Sequence, residues 1–531
     1  MNASRALRFA LSVVALGLLG STAACSGEES EPGNAEGGEE DLTSITARSR
    51  TLEFVGTVFV APNADDATIM STVRTQAQTA FGPLRTSDIA VNSRELKEVD
   101  ASTFVKRPVK VIDTSVANDA GKDMLEVKYT YTDNAVVDVR YARRTAVPLA
   151  LLSPGYRSQI DRILRECTPN DEHAREFSSS TWYIFEPRLS QCQTAMQAEQ
   201  KTIDTDRRKL TDPQKQVTKS NVDRLYNPIQ ARLGADKTNK GTSYPDYQRL
   251  YAGGVAKDKL VISLVYGNID HDNNNGPSGD FNWGELMTTL SEVMDAGGEL
   301  SVVKSEADLA SFTLASGKKV NAPSFKNLVS LHGGRDSLGL AYADRSDLEK
   351  QFATRINKKW VTVERHVKVA TAGQPDRDVA VQFLVYFGAD SDSRPHKFAT
   401  KNSDVFLYNG HSYIGFGPLD PRNFTKSDFA QTYQLLWIDG CVSYNYYEKD
   451  YIPLKDNGTK DLDLVTNGIE APSWRSGHAM GQFLVTLLNG KGASYRDLLK
   501  AAEDTEALRV VDGELDNTYT PARYPMTITP R

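Results

Sequence analysis

The chain has 531 residues, of which 40% are hydrophobic and 25% charged, and a net charge of −7. That composition excludes a wholly disordered chain and suits two folded domains of roughly 200–250 residues each. The acidic balance is mild, and no basic patch points to nucleic acid as a partner.

Residues 1–25 read as an export signal. Arg5 and Arg8 precede an apolar run, Phe9 to Leu19, that is too short to span a bilayer. Small residues 21–24 then lead to Cys25, and the whole resembles a bacterial lipoprotein signal in which that cysteine carries the lipid. Thr22 stands where such signals usually carry Leu, so cleavage by an ordinary signal peptidase is the alternative. Residues 26–44 are acidic, Gly-rich and without aromatics, the composition of a disordered tether. Ser26 after Cys25 points, by the same resemblance, to the outer membrane or cell surface.

Residues 45–250 read as an α+β domain. Thr51–Val60 alternates like a strand, and Ala67–Phe81 has a helical pattern. Met124–Tyr131 and Ala135–Tyr141 read as a hairpin turning at Thr132-Asp133-Asn134. Residues 156–167 and 194–233 read as helical, the second stretch broken near Pro213 and Pro228. Export to an oxidising compartment pairs Cys167 with Cys192, which leaves Cys441 as the odd thiol.

Residues 258–512 change character. Leu260–Tyr266 and Val379–Phe387 are continuous apolar runs, the mark of strands buried on both faces. Phe325–Leu331 is a shorter run. Helical patterns at Trp283–Asp295, Leu348–Lys359 and Ser476–Leu488 alternate with these runs. The fold class is therefore α/β, a mostly parallel sheet flanked by helices.

Two further runs carry the chemistry. Val405 to Asn409 leads into Gly410-His411-Ser412, and Tyr433 to Asp439 leads into Gly440-Cys441. Parallel strands end on one edge, where α/β proteins place their chemistry, so a thiol and a base can meet there. Leu328–Leu331 followed by His332-Gly333 is a rival for the base, alternatively a Gly-rich turn after a strand. Asp270 to Gly276 has some features of a calcium loop, with Asp270 and Asp272 as ligands. It fails the EF-hand pattern, which favours a polar turn and no cofactor.

The pair of motifs resembles the caspase–gingipain–legumain group of cysteine peptidases over roughly residues 258–510. The group's signature is an apolar strand ending in His-Gly, then a strand ending in a small residue and Cys. The resemblance implies catalytic Cys441 and His411, and an oxyanion hole from the N–H groups of Ser412 and Cys441. Ser412 replaces the usual Gly. It also implies a specificity pocket near the strand after the cysteine, with Asn467, Gly468 and Trp474 as candidates. The expected substrate is a peptide or protein. The alternative is a non-catalytic surface lipoprotein whose peptidase-like domain serves as a binding module.

Overall fold

The computed structural model describes residues 42–169, 177–270, 276–388, 391–502 and 507–530. The signal peptide, Cys25, most of the tether, and Asp272 of the candidate calcium loop lie outside the described residues. Among the described residues no helix is long and apolar enough to cross a membrane.

The chain is a mixed α/β protein built on two large sheets. Six strands form the middle and one flank of the sheet in the C-terminal half. They are β1 (Lys259–Tyr266), β2 (Arg377–Phe387), β3 (Val405–Asn409), β4 (Gln434–Asp439), β5 (Leu462–Asn467) and β6 (Arg509–Asp512). Their spatial order is β2-β1-β3-β4-β5-β6. The pairs from β2 to β5 are all parallel, and β6 runs antiparallel to β5. Antiparallel strands at Val361–Thr371 and Ser301–Ser305 extend the β2 side. Thr43–Ser44 pairs with β6, so the last residues assigned to the tether belong instead to the sheet edge.

Alternation along each strand sends successive side chains to opposite faces. Ile262, Leu264, Leu407, Leu435 and Trp437 face one core with the helices α1 (Phe281–Gly297) and α2 (Ser476–Leu487). Val265, Phe406, Tyr408, Leu436, Ile438 and Leu464 face the other. That second core is shared with the N-terminal half, including Phe54, Phe81, Tyr131, Val136 and Trp182. The two halves therefore fold around common apolar surface. Tyr247, Leu250 and Tyr251, which precede β1, pack into the first core.

Three further sequence readings are corrected. The 124–141 hairpin is one continuous strand, Lys122–Asp138, paired along Ala47–Val60. The turn signal at residues 132–134 fails because Asp133 finds local partners in extended backbone. Its carboxylate accepts from Ser93 N at 2.8 Å and Tyr131 Oη at 2.6 Å. Residues 226–233 form a strand, not a helix. Pro228 is tolerated because that part of the strand pairs with Ala146–Leu152, while pairing with Ala47–Val60 is confined to Leu233 and Arg232. Phe325–Ser330 is a helix, capped by Ser324 Oγ accepting from Asn327 N at 3.2 Å.

Candidate active site

Strands β3 and β4 are neighbours in register, with Tyr408 opposite Ile438 and Asn409 opposite Asp439. Two residues further along each chain lie His411 and Cys441. Both thus lie just past the C-terminal edge of the sheet, beyond the ends of neighbouring parallel strands. The turns touch: a Cβ on Gly440 would lie 3.4 Å from Gly410 O and 3.4 Å from Ser412 Cβ.

The His411 ring is held from the β1 side. Nε2 lies 3.1 Å from Ile269 O, and if it donates there the acceptor lone pair of the neutral ring falls on Nδ1. Ile269 is pinned in turn. Asp280, the cap of α1, accepts from Ile269 N at 3.1 Å and Asp270 N at 3.0 Å. Tyr408 Oη donates to His411 O at 2.9 Å, and the Tyr413 ring meets the imidazole edge to face at 5.4 Å.

Ser412 takes an ordinary right-handed conformation, φ −82° and ψ −16°. Its side chain therefore imposes no backbone strain there. Its carbonyl accepts from Tyr447 Oη at 3.1 Å and from Gly415 N at 2.8 Å. The left-handed backbone falls on Tyr413 (φ 51°), Ile414 (φ 54°) and, beside the cysteine, Val442 (φ 53°). Non-glycine residues in this region cost about 1–3 kcal/mol each and cluster at functional sites. A π-helical turn, Tyr444–Glu448, follows at once.

Cys441 is half-buried and outside any disulfide. Burial pushes its thiol up to about 12, and the nearby Glu470 and Asp439 carboxylates push the same way. The Ala471 N–H directed at the sulfur and the Arg85 guanidinium oppose that rise. In this state the sulfur is a thiol. Thiolate forms only with a proton acceptor or added positive charge at hand.

Behind the cysteine, Asp439 is locked into a buried network. Arg509 Nη2 donates to Asp439 Oδ1 at 3.0 Å and its Nε to Asn467 Oδ1 at 3.1 Å. Asn467 Nδ2 donates to Asp439 Oδ1 at 2.7 Å, and Arg509 lies over the Trp437 ring at 4.5 Å. Asn467 thus sits behind the strand ends. Gly468 is enclosed by Val136 and Leu508, while Trp474 is 51% exposed.

The rival His332 follows a helix rather than a strand and lies against α1, where a Cβ on Gly284 would meet its Nε2 at 2.8 Å. Its Nδ1 pairs with Glu349 Oε1 at 2.9 Å, which also accepts from Trp283 Nε1 at 3.0 Å. Asp270 carries its backbone bond to Asp280. Among the described residues no group of three or more His, Cys, Asp or Glu side chains is placed to hold a metal ion.

No family model, curated protein or solved structure matches this chain.

Sequence reasoning missed the wall beside the cysteine. Tyr183, in the loop closed by the Cys167–Cys192 disulfide, and Arg85 both meet Glu470. The aromatic-rich run Tyr444-Asn445-Tyr446-Tyr447 just past Cys441 packs on the same N-terminal segment. Tyr446 stacks on Phe81 at 6.2 Å, and Asn445 Nδ2 donates to Val91 O and Ser93 O at 3.0 and 2.7 Å.

Proposed function

We propose that the chain is an exported, lipid-anchored cysteine endopeptidase with a Cys441–His411 dyad. The observation that carries this reading is the matched register of β3 and β4, which sets both side chains at the same edge of a parallel sheet. The run β2-β1-β3-β4-β5, parallel throughout and followed by antiparallel β6, supports it as an α/β sheet with one edge free to carry chemistry. The lipidated Cys25, the tether and a location at the outer membrane or cell surface belong to the same reading.

The reaction proceeds in two steps without a cofactor. His411 takes the proton of Cys441, and the sulfur attacks the peptide carbonyl. The N–H groups of Ser412 and Cys441 stabilise the oxyanion, a donor of this kind being worth roughly 3 kcal/mol. The C–N bond breaks as His411 returns the proton to the leaving amine. Water then gives a proton to His411 and hydrolyses the thioester, releasing the acid and restoring the thiol.

The Cys441→Ala chain should fold like the original and hydrolyse no protein substrate. Hydrolysis that survives the substitution refutes the assignment. The second reading is a non-catalytic surface lipoprotein. The high thiol pKa favours it, since a sulfur that stays protonated attacks nothing.

A further inference from the structure

Glu470 is fixed beside the nucleophile by its own neighbours. Ile469 O accepts from Val442 N at 3.0 Å, and the Ala471 N–H is directed at the Cys441 sulfur. The carboxylate between them is 45% exposed, and Tyr183 Oη donates to its Oε1 at 3.1 Å. Arg85 Nη1 donates to the same oxygen, with its guanidinium over the Tyr183 ring at 4.8 Å. Its side chain is only 11% exposed, and its buried Nε meets no acceptor among the described residues. Arg85 ends a short helix, Phe81–Arg85, seated so closely that a Cβ on Gly82 would lie 2.5 Å from Phe185 O.

A carboxylate beside a nucleophilic thiol works against the thiolate unless a cation accompanies it. An aromatic face with a carboxylate at its edge is the surface that binds a guanidinium. Resting on the reading of Cys441 as the nucleophile, we propose that Glu470 and Tyr183 form the pocket for a cationic substrate side chain. In the free chain Arg85 occupies that pocket from within, as an intramolecular plug. A peptide with Arg beside the scissile bond displaces Arg85 and restores the positive charge that eases thiol ionisation.

The test uses the detergent-solubilised full chain and its Arg85→Ala, Glu470→Gln and double variants. Each is treated with peptidyl acyloxymethyl ketones bearing Arg, Asp or Leu next to the warhead, and labelling at Cys441 is followed by mass spectrometry. Benzamidine-induced shifts in melting temperature are measured in parallel. Arg85→Ala should label with the Arg probe about tenfold faster than the original chain or more, because the competing occupant is gone. Benzamidine should stabilise Arg85→Ala and not the double variant. Adding Glu470→Gln should remove the preference for Arg over Leu, a loss of about tenfold or more for a charge-assisted contact. Equal labelling of Arg85→Ala by all three probes overturns the pocket and leaves the dyad standing. Benzamidine stabilisation without labelling by any probe keeps the pocket and refutes the peptidase. Absence of both overturns the pocket and the peptidase together.

Discussion

Asp439→Asn is the most informative single change outside the dyad. The carboxylate and its partner Arg509 are 0% and 2% exposed, so neither charge is shielded by water. The substitution keeps the volume and an acceptor for Arg509 and Asn467 but removes the negative charge. An uncompensated buried cation costs about 3–5 kcal/mol, against a usual total stability of about 5–15 kcal/mol. Because Asp439 ends β4 two residues before Cys441, the same change should loosen the nucleophile's position and lower activity. Urea unfolding followed by circular dichroism and tryptophan fluorescence gives the midpoints, with Trp437 directly under Arg509 as a local reporter. Replacing the pair together, Asp439→Leu with Arg509→Met, should recover most of the loss, since apolar replacement of buried ion pairs is often neutral. A loss below about 1 kcal/mol for Asp439→Asn would show that the pair does not brace the strand ends in the way argued.

Asp463 is held mainly by burial at about 7, although hydroxyls from Tyr433 and Tyr495 pull the other way. Its folded pKa is raised, so its contribution is full below the unfolded value near 4 and is lost as pH rises through 7. Asp463→Asn should therefore raise the melting temperature relative to the original chain at pH 8 and not at pH 4; equal shifts at both would contradict this. Breaking the Cys167–Cys192 bond with a double Ser substitution should cost about 3 kcal/mol for a loop of this length and shift Tyr183, read by the melting temperature and by labelling of Cys441. Tyr447→Phe removes the bond to Ser412 O and should lower kcat roughly tenfold with little change in KM, because it disturbs the oxyanion side alone. An effect confined to KM would place Tyr447 in substrate binding instead.

The central strands were legible because each is buried on both faces, which leaves an apolar run in the sequence. Leu260–Tyr266 and Val379–Phe387 show this most clearly. The same runs placed His411 and Cys441 just past the ends of strands that the structure pairs in parallel. Local signals misled where tertiary partners override them. Asp133 and Asn134 suggest a turn, yet pairing with Ala47–Val60 keeps the chain extended. Phe325–Ser330 was an apolar run too short for periodicity to distinguish strand from helix. The wall of the site was not legible, because Arg85 and Glu470 are 385 residues apart and neither stands in a recognisable motif. Asn467 gives a subtler case: its place after the cysteine strand suggested a pocket, whereas its amide is committed to Asp439 and Gly440.

The most direct test of the dyad compares alkylation of Cys441 in the original chain and in His411→Ala across pH 5–10, using Arg85→Ala as background and an Arg-directed peptidyl probe. A dyad predicts labelling in the His411-containing chain that rises through the imidazole range near 6.5, and loss of that step in His411→Ala. If both chains show the same profile, with no step in the imidazole range, the histidine does not serve the sulfur and the peptidase reading fails.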